Sequence, residues 1–365
     1  MKIQITQVNL NRALNILSRV ASSRTPLPIL SNILLKASNN NLELAATNLE
    51  VAITHSAKGK IDEDGSVAVP AKLLHEFVAQ LPKDSKVDLV FEKTKLFITA
   101  GSYSSHMQGS NTEDFPSLPT ISGGSSVEVK SEDLKLALQR TMLAASHDET
   151  RPVLGGIYFH NVNGKLYIAA TDGYRLAESI LTDVKKDINC IVPAPALSDV
   201  LRILQDSSEE NVELLFDEGQ FGVTSGETKL ISRTIDGQYP EYKQLIPDSS
   251  EIEFTVEKDE LLTASKLAGL FARESGGSIT IKASDATSEV TVSSVASQVG
   301  DNSSVIKGTV IGSGDVVLNV RYLTEALNCF ESKEITFRFS GSISPCVLTS
   351  KDQPGYQHIV MPLKS

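Results

Sequence analysis

One apolar pattern occurs three times along this chain. Ile5, Leu10, Ala13 and Leu14 return 124 residues later as Val129, Leu134, Ala137 and Leu138. A further 127 residues on, Val256, Leu261 and Ala264 repeat the first three of them. A second signal, Val69-Pro70-Ala71, returns as Val192-Pro193-Ala194 and again as Asn319-Val320-Arg321, each time opening an apolar helical run. Solenoid units repeat at about 20–50 residues, so a step this long marks copies of a whole domain. The 365 residues then divide into three domains of about 120 each, a size that buries a core of its own. Three like domains with little catalytic punctuation point to a geometric task.

Composition narrows the classes. Hydrophobic content of 41% with 22% charged residues is ordinary for a globular protein. No apolar run approaches the ~20 residues that span a bilayer, and Met1-Lys2-Ile3-Gln4 begins directly in a strand-like alternation. No signal peptide or membrane partner is expected, and the expected location is cytoplasmic. Cys190, Cys329 and Cys346 are odd in number and far apart, which predicts neither a disulfide framework nor a zinc site. The net charge of −11 argues against ordinary tight nucleic-acid binding, which neutralises many phosphates. A total charge does not exclude a basic face on an acidic body.

Each copy reads strand, helix, strands, helix, strands. Leu10, Ala13, Leu14 and Leu17 mark one helical face, and Leu73, Leu74, Phe77, Val78 and Leu81 mark a second that opens at Pro70. Strands are predicted at Ile29–Ala37, Leu42–Ala46, Val51–Ser56, Val87–Phe91 and Leu96–Ala100. Later copies give helices near Leu134–Leu143, Ala194–Leu204, Leu261–Phe271 and Tyr322–Cys329. Ile121–Ser126 and Pro247–Ser250 read as linkers where the repeat phase resets, giving domains over residues 1–122, 126–247 and 250–365. Loops repeat too: Ala45-Ala46-Thr47-Asn48 returns as Ala169-Ala170-Thr171-Asp172, and Phe115-Pro116 as Tyr239-Pro240. The third copy keeps the core pattern and loses these loop residues.

Several stretches carry a family resemblance in order and register. They are Leu27-Pro28-Ile29-Leu30-Ser31-Asn32-Ile33-Leu34-Leu35, Leu42 to Glu50, Thr171-Asp172-Gly173-Tyr174-Arg175-Leu176-Ala177, Asp236-Gly237-Gln238-Tyr239-Pro240-Glu241-Tyr242, and the tail Val360-Met361-Pro362-Leu363-Lys364-Ser365. Over its full length the chain resembles the bacterial sliding clamps, the β subunits of DNA polymerase III. The resemblance implies an α+β fold of three tandem clamp domains. Two chains would close head to tail as a homodimeric ring, with helices lining a central hole and antiparallel sheets outside. It implies no catalysis, cofactor or metal. The implied partners are encircled double-stranded DNA, a clamp loader, the replicative polymerase's catalytic subunit and other proteins carrying a clamp-binding motif.

A ring holds DNA by enclosure, so weak phosphate contacts that break easily suit it. Arg12 and Arg19 lie two helical turns apart, Lys266 and Arg273 repeat that spacing, and all four avoid the apolar stripe. They are candidates to face DNA together with Lys72, Lys135 and Arg202; ordinary solvated helix surface is the alternative. Arg24 matches a DNA-contacting loop arginine of the family. The resemblance also implies a partner-peptide pocket walled by Leu154, Thr171, Gly173, Tyr174, Arg175, Leu176, Pro240 and Leu245, with Ile343, Pro345, Val360, Met361 and Pro362 from the third domain and tail. Without it, the tail simply packs on its own domain. Leu270 and Phe271 are expected at the dimer contact, or else in the third core, facing an edge strand around Tyr103–Gln108 that includes Met107. Asn48, Tyr174, Gln244 and the Lys364-Ser365 terminus depart from the commoner family residues, which bears on partner choice.

Phosphate-loop and nucleophile-elbow motifs are missing from the sequence. Asp62-Glu63-Asp64-Gly65 lacks the closing Glu of a calcium loop and reads as a hairpin turn. His147-Asp148-Glu149 is the one dense trio of a type that suits metal or acid–base chemistry, and it reads as a solvated loop. Two further readings stay open at this stage: a repeat-built scaffold that never encircles DNA, and a hydrolase using the His147 cluster.

Overall fold

The computed structural model describes residues 1–21, 27–38, 41–296 and 300–363. Among the described residues there are six α-helices, α1 (Gln7–Ala21), α2 (Ala71–Gln80), α3 (Ser131–Met142), α4 (Ala194–Asp206), α5 (Lys258–Phe271) and α6 (Val320–Asn328). They fall where the three-fold pattern predicts, two per copy. Among the described residues no helix is long and apolar enough to cross a membrane.

The chain forms two compact units, Met1–Lys135 with Pro195–Thr234, and Leu136–Ala194 with Ile235–Ser365. Three repeats give two units because the central copy lends strands to both neighbours. In the first unit its strands Ser125–Lys130, Asn211–Asp217, Gln220–Ser225 and Thr228–Arg233 continue through Val51–Ala57, Asn41–Thr47, Asn32–Ser38 and Gly65–Pro70 as one eight-stranded sheet. In the second unit its strands Asn189–Pro193, Gly156–Val162, Lys165–Thr171 and Arg175–Asp183 continue through Tyr356–Val360, Cys346–Thr349, Glu334–Phe339, Ile252–Glu257 and Thr309–Ile311 as a nine-stranded sheet. The named pairings are antiparallel throughout. Backbone ladders satisfy strand edges that would otherwise recruit another chain.

Each unit also carries a smaller sheet with an open edge. Tyr103–Gln108 ends a five-stranded sheet in the first, and Gly300–Lys307 ends a four-stranded sheet in the second. Helices pack against the sheets within each unit. On α1 the residues Leu10, Ala13, Leu14 and Leu17 are fully buried, and α1 packs on α2 and on strands Asn41–Thr47 and Val51–Ala57. Each such leucine contributes about 1.5–3 kcal/mol by leaving water. In the second unit α5 packs on α6 and on strands Glu289–Ala296 and Gly300–Lys307.

Two local expectations change. The segment predicted as a strand from Ile29 opens instead with a 3-10 turn, Pro28–Ser31, because Pro28 fixes φ at the first helical position; the strand begins at Asn32. Asp62-Glu63-Asp64-Gly65 is no hairpin: it joins strand Lys60–Glu63 of one sheet to Gly65–Pro70 of another. Gly65 lies at φ 152, and a Cβ there would come within 2.9 Å of the Met1 side chain.

Candidate functional site

The turn between strands Lys165–Thr171 and Arg175–Asp183 is the centre of the second unit's surface. Thr171 Oγ1 donates to the Arg175 carbonyl at 2.6 Å, and the Gly173 amide donates to Thr171 Oγ1 at 3.1 Å. Asp172 Oδ1 accepts the Tyr174 and Arg175 amides at 2.9 and 3.0 Å, an Asx turn. Gly173 sits at φ 93, where a side chain costs energy. Thr-Asp-Gly suits this turn in that order, and it leaves Tyr174 standing out, 59% exposed.

Arg175 takes the opposite course. It is buried, with Nε 3.1 Å from Asp172 Oδ2, Nη1 bonded to Glu325, and its guanidinium 4.8 Å above the Tyr322 ring. Tyr174 stacks on the same ring at 6.5 Å. Strand Arg175–Asp183 pairs with Tyr356–Val360, Arg175 opposite Val360 and Leu176 opposite Ile359. The ladder runs on into the tail, where the Met361 amide donates to the Tyr174 carbonyl and the Leu363 amide to the Val317 carbonyl, both at 2.8 Å. The tail is therefore pinned to its own unit while Met361 and Pro362 stay half-buried.

Beneath lies an apolar cluster of Leu154, Ala169, Leu176, Ile191, Tyr239, Tyr242, Val347 and Ile359. Of the residues expected to wall a pocket, Leu154, Thr171, Arg175, Leu176 and Val360 form its buried floor. Gly173, Tyr174, Pro240, Leu245 and Ile343 are exposed, and Pro345 is half-buried. Leu245 and Ile343 are 46% and 77% exposed, large apolar side chains left in water. All thirteen belong to the second unit.

Sequence reasoning missed what holds the rim still. Leu245 ends the 3-10 turn Tyr242–Leu245. The buried Tyr242 hydroxyl donates to Glu178 and meets His160 Nε2 at 2.6 Å. Lys243 Nζ lies 2.9 Å from Glu178 Oε2 and 3.8 Å above the Tyr167 ring, and Gln357 donates to Glu178 Oε1 at 2.8 Å. A phenol donates one proton and the carboxylate only accepts, so His160 Nε2 must carry the hydrogen that reaches the Tyr242 oxygen. Burial and the Lys243 charge push the His160 pKa down to about 4, against a smaller opposing pull from Glu178. The imidazole is neutral at pH 7. Burial, then the Glu178 charge, raises the Tyr242 phenol well above its ordinary value. Tyr239 completes the wall, its hydroxyl accepting the Thr171 amide at 3.0 Å. Tyr239 and Tyr242 stood in a recognisable stretch; His160 and Glu178 sit on strands with no motif around them.

The basic candidates divide. α1 carries Arg12 and Arg19 and no carboxylate, and both are exposed. Arg12 Nη2 donates to the Asp206 carbonyl at 2.5 Å, at the end of α4. Lys72 is 80% exposed, 3.9 Å from Glu76, and Lys266 is exposed on α5. Lys135 pairs with Glu132 at 2.8 Å and is mostly covered; Arg202 pairs with Asp199 at 3.2 Å. Arg24 lies outside the described residues. At the open edges Leu270 is 57% exposed and Phe271 half-buried, whereas Met107 turns inward and is 3% exposed. Side chains alternate across a strand, so Met107, expected at the dimer contact, turns into its own core, while Tyr103 and Phe97 are exposed on the same sheet.

The other expected chemistry is absorbed locally. Asp148 accepts from Thr150 and Arg151, which lowers its pKa and ties up the His147-Asp148-Glu149 loop. Burial raises the Cys190 and Cys329 thiols to about 12 and about 11, far from a reactive thiolate.

Comparison with known proteins follows the same three-fold division. Family profiles described as the DNA polymerase III beta subunit match as N-terminal domain over residues 1–119, central domain over 128–241 and C-terminal domain over 243–364. The beta sliding clamp of Synechococcus elongatus is 31% identical over 372 residues, covering 100% of this chain and 99% of that protein. The Bacillus subtilis DNA polymerase sliding clamp superposes with a TM-score of 0.94 at 26% identity, over 100% of this chain and 99% of the other. The Bartonella birtlesii clamp, solved bound to griselimycin, gives 0.94 at 25% identity over 100% of both chains. By its three matched domains and its end-to-end likeness, the chain belongs to the DNA polymerase III β subunit family, the β sliding clamps.

Proposed function

We propose that two copies of this chain close head to tail into a ring around duplex DNA, and that the Tyr174 cleft tethers the polymerase and other partners to it by short extended peptides. As a β sliding clamp the chain is a non-catalytic processivity factor of DNA polymerase III; the ring, the pocket residues and the individual partners are the finer reading. What supports it is the exposure of Tyr174, Leu245 and Ile343 in a unit whose Arg175 and Glu178 are held by hydrogen-bonded networks. Rigid walls and adaptable Met361 suit a surface that takes several related peptides.

Closure is supported by two unfinished sheets in one chain. Edge strands Tyr103–Gln108 and Gly300–Lys307 each leave a row of backbone groups unpaired, flanked by exposed Tyr103 and Phe97 on one and Val295, Val305, Leu267 and Leu270 nearby on the other. Unlike edges that complement each other make a head-to-tail contact, which closes as a ring when the rotation permits. Arg12, Arg19, Lys72 and Lys266, exposed on their helices, then supply loose phosphate contacts, with Arg24 as a loop contact; Lys135 and Arg202 are more covered and contribute less. The test is retention on nicked circular plasmid after loading. A ring stays bound in about 0.5–1 M salt, where phosphate contacts alone are lost, and falls off when the plasmid is cut. Release by salt with the circle intact would sink the ring reading.

A further inference from the structure

The three-fold repeat builds the cleft a second time, in the first unit. Strand Val51–Ala57 pairs with Thr228–Arg233 in the register already described: Val51 opposite Ser232 and Ala52 opposite Ile231, as Arg175 is opposite Val360 and Leu176 opposite Ile359. The turn is the same turn. Thr47 Oγ1 donates to the Val51 carbonyl at 2.9 Å, and Asn48 Oδ1 accepts the Glu50 and Val51 amides at 3.0 and 2.7 Å. Phe115 is buried where Tyr239 is buried, and the segment from Pro116 to Ile121 follows as Pro240 to Leu245 does.

This second cleft is open. A cavity of about 380 Å³ lies against Leu49, Glu50, Ala52, Pro116 and Ile231, and an adjoining one of about 540 Å³ runs on along Leu118, Ile121 and Leu215. Ile121 is seated on the sheet, since a Cβ on Gly222 would come within 2.9 Å of its Cδ1. The cavities therefore lie beside a wall held by apolar packing alone. Leu49 is the second observation. It stands at φ 77, a left-handed conformation that a bulky side chain pays to adopt, and it is 46% exposed at the cavity mouth. The matching position of the first cleft is Gly173. A leucine held in that backbone with its side chain in water has no folding benefit.

Charge separates the two clefts. Where Tyr174 and Arg175 stand in one, Glu50 and Val51 stand in the other; Glu43 and Glu213 line the longer cavity with Lys229, and Glu50 lines the shorter with Arg233, three carboxylates to two cations. We propose that this groove is a second docking site on each protomer, for an extended peptide that carries apolar side chains together with basic ones. The inference rests on the reading of the Tyr174 cleft as a peptide site.

The test uses acetyl-Arg-Leu-Ser-Leu-Phe-Lys-amide, labelled with fluorescein, on the full-length dimer. Wild-type protein is compared with Met361→Asp, Leu49→Asn and the double variant. Asparagine tolerates φ near 77, so Leu49→Asn removes the apolar wall without straining the turn. The expected results are two sites per protomer in wild type and one remaining in Met361→Asp. That remaining site weakens about tenfold on adding Leu49→Asn. It also weakens about two- to fivefold when Gln replaces the peptide's basic residues, and Glu50→Lys abolishes the difference. Binding lost completely in Met361→Asp overturns the second site and leaves the first standing. Binding lost only in Leu49→Asn keeps the second and overturns the first. A residual site indifferent to both Leu49→Asn and peptide charge overturns the assignment, as does a Leu49-dependent self-association of dimers that excludes the peptide.

Discussion

Tyr242→Phe tests whether the buried polar network sets the cleft. The ring is 2% exposed and phenylalanine keeps its volume, so no cavity forms. What is lost is a hydroxyl that donates to the Glu178 carboxylate and receives the His160 Nε2 hydrogen at 2.6 Å. A hydrogen bond to a charged group contributes about 1.5–3 kcal/mol and a neutral one about 0.5–1.5. Glu178 keeps Lys243 at 2.9 Å and Gln357 at 2.8 Å, which softens the loss. The expected destabilisation is therefore about 2–4 kcal/mol, read as a lower urea midpoint at unchanged m-value. Because Leu245 sits on the same turn, peptide affinity should fall about three- to tenfold with it. In a Glu178→Gln background the same change should cost about 1–2 kcal/mol less, since the two groups are directly coupled. A destabilisation under about 0.5 kcal/mol, or additivity of the two substitutions within about 0.3 kcal/mol, would refute the network as described.

Acidification should weaken the fold by a calculable route. Burial holds His160 at a pKa of about 4 and His358, with Arg175 nearby, at about 3, both below the ordinary 6.5. The unfolded chain therefore takes up these protons first. Stability is full above about pH 6.5 and declines as pH drops toward 4 and 3, by up to about 1.4 kcal/mol per pH unit for each group. A series of urea melts from pH 7 to 4 on wild type and His160→Asn should show the smaller slope in the variant. Arg175→Lys should cost about 1–3 kcal/mol, because an ammonium cannot engage Asp172 and Glu325 as a fork and stack on Tyr322; calorimetry checks it. Ile343→Asp, at a position 77% exposed, should leave the melting temperature within about 2 °C while weakening a Gln-x-x-Leu-Phe peptide about tenfold by fluorescence anisotropy.

Helices were the legible part of this chain. Their apolar faces repeat at helical spacing, and the second helix of each copy opens at a recurring position, so six helices could be assigned from pattern alone. Strand partners were not legible, because a strand's alternation states which face is buried and not which edge is paired. Hence the central copy's division between two sheets, and the inward turn of Met107, came only from the structure. The cleft was half legible. Tyr174 stands in a stretch that resembles a family, and Leu245 and Ile343 were expected only through that resemblance, but Glu178, His160, Tyr322 and Glu325 lie on ordinary strand and helix positions. Their role arises from burial, and burial of a carboxylate leaves no local mark in sequence.

The two clefts also separate what a repeat copies from what it does not. Backbone register, the Thr-Asx turn and the buried ring after it are shared, because each is required for the sheet crossing itself. The polar lock is not shared. Where the first cleft has His160, Glu178, Tyr242 and Lys243, the corresponding positions 124 residues earlier are Lys36, Thr54, Leu118 and Pro119. A crossing without those hydrogen bonds can leave its rim to apolar packing, as Ile121 on Gly222 does. Binding to an unlocked rim requires ordering it at the moment of contact, which lowers affinity for the same buried area. The second cleft should therefore bind the basic peptide more weakly than the first binds its own. Transplanting the lock piecemeal, as Leu118→Tyr with Thr54→Glu, should destabilise the first unit, because the added carboxylate would lack Lys243 and Gln357. That asymmetry is why duplicating the fold preserved two grooves while only one acquired a rigid floor.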